Sequence, residues 1–205
     1  MINETACFTG HRHIPPEKQD AVSALLARSI GEAYGNGYRR FMCGGALGFD
    51  TLAALQVLKY REDHTDVRLI LVIPCQNQAE RWSGKDRAVY RHIAERADER
   101  IVLSPEYYQG CMQTRNRYMV DHSSLCICYL YSFHGGTAYT VRYAVFRNIG
   151  IINLAMNASQ TDLKLKENPW SSMFTSLSAD GNADTARLFL SRDRKVRQKH
   201  TRTSW

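Results

Sequence analysis

Six short apolar segments, at residues 6–9, 40–43, 67–73, 100–103, 125–131 and 149–154, recur along the chain with helix-length gaps between them. At four to seven residues each, they have the length of strands. The stretch "RLILVIP" is nearly continuous in apolar side chains, which marks a strand covered on both faces, since a half-exposed strand would alternate. Parallel neighbours need a crossover long enough to hold a helix. Strands alternating with helices therefore predict an α/β domain built on a doubly wound parallel sheet. Such sheets bind ligands beyond the carboxyl ends of their strands, near the point where strand order reverses.

The clearest helix begins after Pro15 and Pro16, presents Val22, Leu25, Leu26, Ser29, Ile30 and Ala33 on one face, and stops at Gly35-Asn36-Gly37. A chain of 205 residues with 44% hydrophobic and 23% charged residues fits one such domain with an appendage. No apolar run approaches the ~20 residues needed to span a bilayer, and "MINETACF" lacks the pattern of a secretory signal, so a cytoplasmic protein is expected. Without an export signal, Cys7, Cys43, Cys75, Cys111, Cys126 and Cys128 are expected as buried reduced thiols. Their spacing and the scattered histidines do not make a zinc site, and neither a metal nor a cofactor is expected.

Beyond residue 155 the periodicity dissolves, which predicts a domain at 1–155 and a partly disordered C-terminal extension at 156–205 where Trp170, Met173 and Phe174 are candidates for packing. Basicity belongs to this tail. Residues 187–205 hold seven Lys or Arg and one Asp, six of the seven net positive charges of the chain. Nucleic acid is therefore a candidate partner through the tail, and the nearly neutral body gives no such signal. A homo-oligomer is compatible with the sequence.

Three strand ends run into glycines ahead of a helical pattern, in "ACFTGHRH", "FMCGGALGFD" and "YLYSFHGGTAYT". Glycine reaches positive φ without steric cost, so each pair serves a tight turn on the simplest reading. A strand, a glycine turn and a helix N-terminus also make an anion site, with backbone N–H groups aimed at a phosphate. G-x-G-x-x-G is absent, and "GGALGFD" lacks the Lys-Ser/Thr of a P-loop, which argues against an ordinary NAD dehydrogenase and an NTPase.

The blocks "TGHR", "GGALGFD", "IPCQNQAERW", "RNRYMVDHSS" and "GGTAYTVRYA" resemble, in order and spacing, the YpsA-like proteins of the SLOG superfamily, which also contains the DprA/Smf proteins and the LOG phosphoribohydrolases. The resemblance covers about residues 1–155. It implies a Rossmann-like fold and a nucleotide or ADP-ribose-type ligand, and the leading reading is a domain that binds a phosphate-bearing nucleotide derivative as a sensor or regulator. Thr9, Gly10, His11 and Arg12 would form the first ligand-facing turn, and Gly44, Gly45 and Gly48 the second. Arg12 is then the natural phosphate partner, since a guanidinium offers paired donors. Asp50 would accept from ribose hydroxyls, or serve as N-cap of a helix at 51–60. Arg115 and Asn116 would reach over the cleft, or cap and solvate their helix. Trp82 would stack on a base, or anchor its loop.

Gly135, Gly136 and Thr137 would form the third turn. The LOG hydrolases carry P-G-G-x-G-T-x-x-E there, whose glutamate assists cleavage of the N-glycosidic bond. In this chain Val141 and Arg142, or Thr140, occupy the corresponding positions, and the acid is missing. Two alternatives remain at this stage: an N-glycoside hydrolase that uses Asp50 or Asp121 instead, and a DprA-like binder of single-stranded nucleic acid.

Overall fold

The computed structural model describes residues 2–156. The strands are β1 (Thr5–Gly10), β2 (Arg40–Cys43), β3 (Arg68–Ile73), β4 (Glu99–Val102), β5 (Leu125–Tyr129) and β6 (Gly150–Asn153). Between them run α1 (Pro16–Gly35), α2 (Phe49–Asp63), α3 (Gly84–Arg96), α4 (Cys111–Asp121) and α5 (Gly135–Phe146). The strands form one sheet in the order β4-β3-β2-β1-β5-β6, and every neighbouring pair is parallel. The domain is a Rossmann-like α/β fold of six parallel strands. The expected extension lies outside the described residues apart from its first residue, and so do Trp170, Met173, Phe174 and the basic segment 187–205.

Chain direction explains the two helical layers. The path β1 to β4 steps one way across the sheet and the path β4 to β6 steps back the other way. Right-handed crossovers therefore place α1, α2 and α3 on one face and α4 and α5 on the other. On the first face Phe8, Phe41, Leu69, Leu71 and Ile127 pack against Leu26, Ile30, Phe49, Val57 and Ile93. Each fully buried Phe or Leu contributes roughly 1.5–3 kcal/mol. Strand β3 is buried at every residue after Arg68, as its unbroken apolar run requires, whereas the edge strand β4 is largely exposed.

Helix α1 starts at Pro16, whose missing N–H costs nothing in a first turn, and it buries Val22, Leu26, Ser29, Ile30 and Ala33. Leu25 departs from the expected face and is exposed. At 100° per residue it lies too far round the helix from the Leu26 stripe to reach the sheet. All six cysteines are buried and free. Among the described residues, no helix is long and apolar enough to cross a membrane.

Candidate functional site

Strand order reverses between β1 and β5, so the loops after these two paired strands depart in opposite directions and open a crevice. Strand β1 ends in Thr9 and Gly10, and His11 and Arg12 follow at its lip. The Ser132 N–H, just past β5, donates to His11 Nε2 at 3.2 Å. The His11 ring lies 4.1 Å from that of Tyr131, whose hydroxyl donates to the His13 carbonyl at 3.3 Å. An accepting Nε2 makes the imidazole neutral with its proton on Nδ1, and burial holds its pKa below the ordinary value. Arg12 is exposed and forms no ion pair among the described residues.

The turn after β2 is locked to this lip. Gly48 has φ 81°, and a Cβ there would run into the Arg12 carbonyl. The Phe49 N–H donates to the His11 carbonyl at 3.2 Å. Helix α2 begins two residues earlier than the expected 51–60 and takes Gly48 as its N-cap, so Asp50 falls inside the first turn and is not the cap. Its Oδ2 instead accepts from the Ala46 N–H at 3.3 Å. Asp50 is buried, and the lost hydration raises its pKa against the opposing pull of Arg115, the Ala46 N–H and Arg12.

Arg115 and Asn116 tie the second and third glycine turns together. The buried Arg115 donates from Nη1 to the Gly44 carbonyl and from Nε to Asn116 Oδ1 at 2.6 Å. Asn116 Nδ2 donates to Thr140 Oγ1 at 2.7 Å, and that hydroxyl donates to the Gly136 carbonyl at 2.9 Å. This chain of hydrogen bonds runs from the β2 turn to the first turn of α5, and it satisfies polar groups that would be costly to bury alone. Both residues serve here by positioning the turns. Thr140, one of the candidate counterparts of the LOG glutamate, is buried with its hydroxyl engaged on both sides.

The third turn divides its two glycines between different tasks. Positive φ belongs to Gly135 at 82°, following an extended His134 N-cap. Gly136 is exposed, is not among the positive-φ residues, and has nothing within 4 Å of where its Cβ would stand. The turn alone therefore explains Gly135 and leaves Gly136 unexplained. Thr137 is buried in the same helical turn. The first N–H groups of any helix lack intrahelical acceptors, so this end of α5 carries unsatisfied donors beside the crevice.

Other expected residues lie elsewhere. Trp82, half-buried in the loop after β3, packs edge-to-face on Tyr90 of α3 with ring centres 5.5 Å apart, away from the β1/β5 junction. Asp121 closes α4, accepts from the Tyr143 hydroxyl at 2.9 Å and pairs with Arg147. Because α4 leads into the start of β5, Asp121 sits by the amino ends of the strands, opposite the crevice, and cannot act in it. The sequence reading missed Ser132 and Gln78, whose Nε2 donates to the Gly45 carbonyl at 3.3 Å. One contributes only its backbone and the other a long-range bond, so neither left a motif.

The family model described as "YspA SLOG family" (YpsA) matches residues 10–148. An uncharacterized SPbeta prophage-derived protein, YoqJ of Bacillus subtilis, is 30% identical over 117 residues, covering 51% of this chain and 68% of that protein. A UPF0398 protein of Staphylococcus epidermidis is 24% identical over 133 residues, covering 60% and 71%. Among solved structures, the single-stranded-DNA-binding DNA processing protein A of Helicobacter pylori superposes with a TM-score of 0.55 at 20% identity, covering 86% of this chain and 80% of that one. DprA of Streptococcus pneumoniae superposes with a TM-score of 0.54 at 17% identity and covers 73% of this chain, which spans only 49% of the DprA chain. With a match that takes in all three glycine turns and the helices between them, the chain belongs to the YpsA family of SLOG proteins.

Proposed function

We propose that the crevice between β1 and β5 binds a phosphate-bearing nucleotide derivative of the ADP-ribose type, and that the protein senses this ligand without turning it over. The observation that carries the reading is the first turn of α5. It offers unsatisfied N–H donors next to an exposed Gly136 whose missing side chain leaves the approach open, and the exposed Arg12, without an ion pair among the described residues, follows β1 on the other side of the crevice. An anion held there would receive charged hydrogen bonds on the order of 1.5–3 kcal/mol each.

Gly136→Val tests this directly. The backbone there is free of positive φ and the space is empty, so the variant should keep the parent's denaturation midpoint. Its branched side chain should block the anion and weaken ADP-ribose binding by about 2 kcal/mol or more, from an expected micromolar affinity of roughly −8 kcal/mol. Calorimetry compares the two proteins. A folded variant that binds as tightly as the parent, or a parent that gives no heat at millimolar ligand, sinks the proposal.

Hydrolysis is disfavoured because neither match to the LOG glutamate, Thr140 with its engaged hydroxyl or Val141 and Arg142, supplies an acid. Adenine release from AMP should stay far below an ordinary enzymatic rate of about 1 s⁻¹, measured by chromatography. A second reading, single-stranded nucleic acid bound through the tail, is favoured by the charge gathered at 187–205. Deleting that segment should then abolish oligonucleotide binding at low salt while leaving the response to ADP-ribose intact.

A further inference from the structure

A cavity of about 540 Å³ lies between α3, the loop after β3, and β4, within the ~300–1,000 Å³ range of small-molecule sites. Its lining combines the Tyr90 ring and Ala94 with the three arginines Arg87, Arg91 and Arg100. Glu80 and Glu95 also line it, which leaves one net positive charge. None of the three arginines forms an ion pair among the described residues, and Arg87 donates to the Glu80 carbonyl at 3.1 Å.

The cavity and the second glycine turn meet at Tyr90. Tyr90 lines the cavity, and its ring edge comes within 3.2 Å of the Cβ position at Gly45, in the second glycine turn. Gln78, between the cavity-lining Asn77 and Ala79, holds the Gly45 carbonyl. The gap between β1 and β5 stands three strand intervals from the gap between β3 and β4 in the sheet order. At ~4.8 Å per interval the two compartments lie about 14 Å apart, too far for one phosphate to occupy both.

We propose that this arginine-rimmed cavity is a second ligand compartment, which takes the distal nucleoside-phosphate end of a dinucleoside polyphosphate whose proximal phosphate rests on the first turn of α5. The aromatic and apolar floor suits a base and the guanidinium groups suit phosphate. A nearly neutral body favours a small molecule over a nucleic-acid strand, which demands a continuous basic track. This inference rests on the crevice binding a nucleotide phosphate, and its test separates the two.

The probes are AMP and diadenosine tetraphosphate, titrated by calorimetry into the full chain, Arg91→Gln/Arg100→Gln, and Gly136→Val. Arg91 and Arg100 are exposed, so the double variant should fold like the parent. The parent should bind diadenosine tetraphosphate at least about 10-fold tighter than AMP, because the second contact becomes intramolecular, and the double variant should lose that advantage. If the double variant binds diadenosine tetraphosphate as tightly as the parent while Gly136→Val weakens it, the second compartment is overturned and the crevice reading stands. If only the arginine variant weakens binding, the bridging ligand and the crevice reading both fall. A single-stranded tetranucleotide that binds more tightly than diadenosine tetraphosphate through the same arginines overturns the small-molecule assignment.

Discussion

Arg115→Ala is expected to destabilise the domain by about 3–5 kcal/mol, the cost of breaking a buried charge arrangement from one side. The guanidinium donates to the Gly44 carbonyl and to Asn116, and it is the leading influence opposing the desolvation of Asp50. Its removal strands a buried carbonyl, frees the Asn116 carboxamide and leaves a buried carboxylate without its main counter-charge. Adding Asp50→Asn to the variant should recover about 1 kcal/mol or more, since an amide oxygen can still accept from the Ala46 N–H and carries no charge to desolvate. Urea denaturation at neutral pH measures both. A loss of less than about 1 kcal/mol for Arg115→Ala would show that solvent reaches the site freely.

The same carboxylate gives a pH signature whose sign is fixed. Burial raises the folded pKa of Asp50 above its unfolded value, so in that interval the native state binds the proton and the unfolded chain does not. The stability contributed by this group is present at low pH and falls as pH rises from the usual carboxylate range through the raised value. Asp50→Asn should remove that slope, seen as a difference between parent and variant denaturation curves across the interval.

Gly48→Ala is expected to cost about 3 kcal/mol or more, because two penalties fall on one residue. Its φ of 81° and ψ of −121° suit glycine and strain any L side chain, which alone costs about 1–3 kcal/mol. The added Cβ would also meet the Arg12 carbonyl, a backbone atom with no rotamer to yield. Gly37→Ala is the control, since Gly37 has φ 92° with nothing within 4 Å of a Cβ and carries the conformational penalty only. Gly48→Ala should exceed it by about 2 kcal/mol in chemical denaturation. Equal losses would mean that the two turns are free to move apart.

Coupling between the turns sets what such variants do to binding. Gly48 locks the second turn to Arg12, and the Arg115–Asn116–Thr140 chain locks that turn to Gly136. A ligand seated at the crevice would meet a surface whose elements are already fixed, so little ordering has to be paid on binding. Below it an aromatic run from Phe8 through Phe49 and Tyr129 to Tyr131 and His11 connects the core to the lip, each ring within 6.5 Å of the next. Aromatic pairs of this kind add about 0.5–1.5 kcal/mol beyond burial.

What the sequence determined by itself was the class of fold and the places where ligand chemistry is possible. Short apolar runs separated by helical lengths allow little but a parallel sheet with crossovers, and glycines at strand ends mark where backbone must turn sharply. Local chemistry decides both, so both are legible in residue order: β2 spans the expected 40–43, and α1 ends at the expected Gly35 and begins at Pro16, one residue before the expected start. The tertiary structure alone decided which turns share a crevice and which polar residues face it. Strand order, read nowhere in the sequence, set β1 beside β5 and so joined "TGHR" to "YLYSFHGG" across the switch point. Contacts across 71 residues turned Arg115 toward the Gly44 carbonyl, and a two-residue shift in the start of α2 placed Asp50 inside the helix. Such pairings depend on where whole elements pack, and packing is a sum over distant residues that no short motif contains.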